Sequence, residues 1–123
     1  MRLSHLALTV QNLEAAVDFY GRILGMRVVW QPDPDNVYLS FGADNLALHR
    51  GPRAGRGALD HLGFMVDTPA AVDEWAEHLA QAGVTIDASP RTHRDGARSL
   101  YCRDPDGNVV QILWVPEATG QSQ

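Results

Sequence analysis

The chain has 123 residues, 45% of them apolar and 20% charged, which is enough for one ordinary domain or two small repeats sharing a sheet system. That balance excludes collagen, coiled coil and a disordered chain. Fifteen acidic against ten basic side chains, a formal charge of −5, argue against a duplex nucleic-acid binder, which needs a basic surface to neutralise phosphates. No apolar run approaches the ~20 residues that span a bilayer. Met1 leads into an alternating run, 2–10, with no signal-peptide apolar region, so no secretory leader is expected. A single cysteine, Cys102, excludes an internal disulfide framework and fits a reducing cytoplasm.

In chain order, the first predicted element is a strand. Residues 4–10 (Ser4-His5-Leu6-Ala7-Leu8-Thr9-Val10) alternate, with Leu6, Leu8 and Val10 on one face and His5, Ala7 and Thr9 on the other. Asn12 is a good N-cap for a helix whose apolar stripe is Leu13, Ala16, Val17, Tyr20, Ile23 and Leu24, and Gly25 stops it. Three short strands follow at about 26–31, 37–41 and 45–50, separated by the turn residues 32–36 and 42–44. A Pro- and Gly-bearing linker, 51–57, closes the first half.

The same grammar then repeats. Residues 60–66 (Asp60-His61-Leu62-Gly63-Phe64-Met65-Val66) echo the first strand, and His61 stands 56 positions after His5. Thr68 caps a second helix with Pro69 at its first position; Val72, Trp75, Ala76, Leu79 and Ala82 form its stripe and Gly83 ends it. Strands are predicted at about 84–88, 98–103 and 108–115, with residues 104–108 (Asp-Pro-Asp-Gly-Asn) as the last turn and a loose tail, 116–123. The predicted architecture is α+β: two tandem βαβββ modules, about 1–50 and 58–115, forming a curved mixed sheet around a cavity. Neither half is large enough to fold alone, so a single domain over 1–123 is expected.

Each helix covers only one face of its sheet. Period-2 geometry then selects what points into the open face. His5 and His61 follow from the first strands, and Ala47 and His49 from the fourth. Ser99, Tyr101 and Arg103 come from the seventh strand; Gln111, Leu113 and Val115 come from the eighth. A lone inward histidine is more often a hydrogen-bonded structural group than a ligand; two at the same register of a repeat point the other way. Arg50, Arg53 and Arg56 crowd the linker, and Arg91, Arg94, Arg98 and Arg103 crowd the last hairpins. These are either solvated loop charges or a positive rim for an anionic small molecule.

Paired βαβββ modules, each with histidine on its first strand, resemble the vicinal oxygen chelate superfamily of glyoxalase I, extradiol dioxygenases, fosfomycin-resistance transferases and bleomycin-resistance proteins. The most specific part is 99–111 (Ser-Leu-Tyr-Cys-Arg-Asp-Pro-Asp-Gly-Asn-Val-Val-Gln), which is similar to that family's aromatic–x–x–Asp–Pro–Asp–Gly–Asn–x–x–Glu signature, with Gln111 in the place of Glu. The second is 46–50 (Leu-Ala-Leu-His-Arg). The resemblance implies a divalent metal (Zn, Ni, Mn or Fe) held by His5, His61 and Gln111. Ala47 occupies the fourth-strand ligand position of the first module and cannot coordinate. His49, two residues on, is either a replacement ligand or a polar cavity group. Tyr101, Arg103 and Tyr38 are the implied substrate contacts. A neutral Gln111 leaves the dication's charge uncompensated and cannot serve as a carboxylate base.

The resemblance also implies a homodimer, with His5 of one chain meeting His61 and Gln111 of the other. The half-covered sheets favour such burial. Besides an accessory or regulatory domain, two functions stay open. One is a metal-dependent enzyme in which the ion chelates vicinal substrate oxygens, as a lyase, isomerase or dioxygenase. The other is a metal-free protein of the bleomycin-resistance type that sequesters an antibiotic or another small ligand.

Overall fold

The computed structural model describes residues 1–52 and 57–116. The chain divides into two compact units, Met1–Gly57 and Ala58–Gln123. The expected linker residues Arg53 and Arg56 and most of the expected tail lie outside the described residues.

In the first unit β1 (His5–Val10) runs into α1 (Leu13–Val17), then β2 (Arg27–Asp33), β3 (Asn36–Ser40) and β4 (Asn45–Arg50). The sheet order is β1-β4-β3-β2, with β1 parallel to β4 and the other pairs antiparallel. The Asn12 side chain accepts from the Ala15 N–H and caps α1, as its residue type predicts. Leu13, Ala16, Phe19, Tyr20 and Ile23 are buried, together with Leu46 and Leu48 of β4. This is the helix-side stripe packing on one face of the sheet.

The second unit repeats the order. β5 (Leu62–Met65) precedes α2 (Pro69–Gln81), and β6 (Ile86–Thr92), β7 (Arg98–Arg103) and β8 (Val109–Trp114) follow, arranged β5-β8-β7-β6 with β5 parallel to β8. Thr68 caps α2 on the Ala71 N–H. Val72 and Leu79 are buried from the helix; Leu100, Cys102, Val110 and Ile112 are buried from the sheet. Each unit is thus a four-stranded mixed sheet with one face covered by its own helix.

Three expectations are corrected. The first helix does not run evenly to Gly25: after α1 the segment Asp18–Ile23 is wound as a π-helix. The apolar stripe survives the change of winding, so periodicity alone did not distinguish the two. Strand β2 continues through Pro32 to Asp33, leaving a tighter hairpin than the turn 32–36, because the Asp33 carboxylate accepts from the Asp35 N–H and the Asn36 side-chain amide. Strand β6 likewise continues past residue 88 to Thr92. Both are edge strands with register shifts against their neighbours, where proline and bulges are tolerated.

The turn that carries the sequence signature is built on one side chain. Asp104, buried, accepts from the backbone N–H groups of Asp106 and Asn108 and from the Asn108 side-chain amide. Gly107 follows at φ +91°, a conformation that favours glycine. The motif therefore fixes the β7–β8 hairpin and with it the register Tyr101↔Gln111.

Candidate functional site

The open face of the second sheet is read from its register. Gly63, Gln111, Tyr101 and Ala88 lie side by side across β5, β8, β7 and β6. Gln111 donates its Nε2–H to the Tyr101 hydroxyl at 3.1 Å. With the nitrogen so engaged, the amide oxygen turns toward β5, where a Cβ on Gly63 would stand 3.5 Å from Oε1. The His61 ring meets the Tyr101 ring edge-on at 5.5 Å. Its Nδ1–H donates to the Asp60 carboxylate at 2.7 Å, which places the lone pair on Nε2. His61, Tyr101 and Gln111 are therefore brought together within one unit.

The first sheet carries a matching row, Ala7, Ala47, Tyr38 and Trp30, across β1, β4, β3 and β2. Tyr38 holds the position that Tyr101 holds in the second unit, and Ala47 that of Gln111. With no amide beside it, Tyr38 packs on Trp30 at 5.0 Å and meets His49 edge-on at 5.9 Å. His5 Nδ1–H donates to Asn45 Oδ1 at 2.7 Å, and His49 Nδ1–H to Asn36 Oδ1 at 2.6 Å. All three sheet histidines are thus held by a side-chain oxygen at Nδ1 and present Nε2 unpartnered among the described residues. Sequence reasoning missed these orienting partners, because Asn45, Asn36 and Asp60 read as ordinary turn and strand-end residues.

The donor set can be tested against a divalent metal by its own chemistry. Imidazole Nε2 at His5 and His61 and amide Oε1 at Gln111 are N and O ligands suited to a borderline or hard dication. They bring no negative charge, and among the described residues no three His, Cys, Asp or Glu side chains gather as a metal cluster. By residue type alone, three such neutral donors suit a weakly held ion.

Beside Tyr101 and Gln111 the second unit has a cavity of about 640 Å³, lined also by Leu113 and Val115 of the same face and by the β6–β7 connection with Arg91, His93 and Arg94. The volume is that of an ordinary small-molecule site. His93 Nε2 lies 2.6 Å from Ser99 Oγ at its edge. Arg103 is held elsewhere: its Nε–H donates to Asp87 on β6 at 2.5 Å and its Nη1 to the Gly107 carbonyl. Cys102 faces the core, and its thiol is pushed up to about 12 by burial, with Asp104 and Asp87 adding to the shift.

Two βαβββ units, each a mixed sheet with one face covered by its own helix, define the class of fold. The chain belongs to the Glyoxalase/Bleomycin resistance protein/Dioxygenase superfamily, whose family model matches residues 2–112. It is 35% identical to virulence protein STM3117 of Salmonella typhimurium over 90% of this chain and 82% of that protein. It is 26% identical to the metallothiol transferase FosB of Shouchella clausii, covering 89% and 77%. Among solved structures it resembles lactoylglutathione lyase from Agrobacterium tumefaciens at 26% identity, with a TM-score of 0.78 and 92% of each chain covered. Among the described residues no helix is long and apolar enough to cross a membrane.

Proposed function

We propose that the protein binds a small organic molecule on the open face of its second sheet and acts on it with the help of a divalent metal for which His5, His61 and Gln111 are the ligands. The observation that carries this reading is the orientation of the donors. A histidine whose Nδ1–H is fixed by a carboxylate or amide oxygen is in the tautomer a metal requires, and His5 and His61 share that arrangement. Gln111 is held by Tyr101, with its Nε2 on the hydroxyl and its Oε1 on the Gly63 side. The similarity to a metallothiol transferase and a lactoylglutathione lyase supports the same reading.

When bound, the metal would supply Lewis acidity toward two adjacent oxygens of the guest. The chain's own residues position that guest. Tyr101 offers a ring face and a hydroxyl, and Leu113 and Val115 exclude water from its apolar part. No carboxylate stands at residue 111 to take a proton, which favours chemistry that needs charge stabilisation more than a strong base there. The working unit is proposed to be a homodimer in a reducing cytoplasm.

Metal analysis of protein purified without a polyhistidine tag tests the reading. About one Zn, Ni, Mn or Fe per chain, lost in His5→Ala and in His61→Ala, is the expected result. Metal-free protein that binds an apolar antibiotic with unchanged affinity in both variants would replace it with the sequestration function.

A further inference from the structure

We propose that the guest is an organic anion whose charged group is taken by Arg91 and Arg94; this names a ligand class for the site proposed above and rests on that reading of the second sheet. The argument is one of counter-ions. Arg22 is paired with Asp18, Arg50 with Glu14 and Asp35, Arg98 with Asp73, and Arg103 with Asp87. The side chains of Arg91 and Arg94 make no ion pair or hydrogen bond with any described residue, yet both line the cavity that Tyr101 and Gln111 also line. The one carboxylate on the same wall, Asp95, has an oxygen that accepts from the Ala97 N–H at 3.0 Å. Two cations therefore face the space against one anion.

Two guanidinium groups left unpaired beside a concave space suit a carboxylate or phosphonate, which each can bind through two parallel hydrogen bonds. The ring of Tyr101 and the side chain of Leu113 line the same space and suit an apolar or planar middle. The resulting guest is a small carboxylate or phosphonate with an oxygen-bearing far end directed at Gln111. Among the described residues of the expected rim, Arg91 and Arg94 are the ones left without a counter-ion, because Arg50, Arg98 and Arg103 are neutralised by their own neighbours.

The test uses benzoate and its neutral counterpart benzamide, titrated into the full-length chain and followed by backbone amide shifts. Benzoate is expected to bind at least about fivefold more tightly than benzamide, as two partly exposed charge contacts allow. Its shifts should map to β7, β8 and the β6–β7 connection, and binding should weaken as salt rises from about 20 mM to about 500 mM. Arg91→Gln/Arg94→Gln should abolish the preference and leave benzamide unchanged; the two single variants should each lose part of it. Equal binding of the two probes, an unchanged preference in the double variant, or no binding of either would overturn the proposal. The His61→Ala protein separates it from the metal reading: benzoate preference retained there, with metal unaltered, sinks the metal assignment alone.

Discussion

Gln111 and Tyr101 are register partners on adjacent strands, and the amide nitrogen of the first donates to the hydroxyl of the second at 3.1 Å. The bond ties the amide to the tyrosine, with Oε1 on the Gly63 side. Tyr101→Phe should release it. The buried Gln111 nitrogen would then lack a partner, at about 1 kcal/mol of stability. Zinc or manganese affinity should fall about tenfold, as for loss of other orienting groups around a metal ligand. Isothermal titration of the metal-free protein reads this; unchanged affinity would show that the amide is not a ligand.

Gln111→Glu tests the same position from the opposite side. A carboxylate brings the charge that the neutral donor set lacks, so metal affinity should rise by about tenfold or more in the same titration. A fall would mean that residue 111 does not face the ion.

Asp104 should be the costliest single polar residue in the second hairpin. Asp104→Ala strips three hydrogen bonds from a part-buried turn, two of them from backbone N–H groups. A loss of about 2 kcal/mol is expected, visible as a lower urea midpoint with an unchanged slope.

Glu14 carries a pH dependence whose sign is determined. Its hydrogen bond and ion pair with Arg50 lower its pKa from 4.5 to about 2. A depressed carboxylate contributes stability that is present above its unfolded value and is lost as pH falls through the folded one. The melting temperature of Glu14→Gln should therefore lie below that of the parent at pH 7. The gap should close between about pH 4.5 and pH 2. A gap independent of pH would remove the pair from the account.

Cys102 should be unreactive in the native state. With its thiol pushed up to about 12 and its side chain in the core, iodoacetamide at pH 8 should label it only after denaturation, as mass spectrometry would show.

Most of the architecture was legible because it depends on local signals. Alternation in 4–10, the caps Asn12 and Thr68, and the stops Gly25 and Gly83 state the element order without reference to tertiary structure. Pleat counting also placed Tyr101 and Gln111 on one face. What escaped it depends on distant partners or on backbone choices that leave the pattern intact. The π-helical winding keeps the same stripe buried. Strands β2 and β6 run on through Pro32 and Pro90 at sheet edges, where a strand signal fades before the strand does. That Arg103 is neutralised by Asp87 while Arg91 is not follows from register between edge strands, which spacing along the chain does not encode.

The exchange of Ala47 for Gln111 at equivalent positions makes the duplicated halves chemically unequal. One sheet stacks aromatic rings, Trp30 on Tyr38; the other sets an amide on its tyrosine. Saturation should accordingly come at a single equivalent per polypeptide, and doubling that number would require an amide or carboxylate to be grafted beside Tyr38.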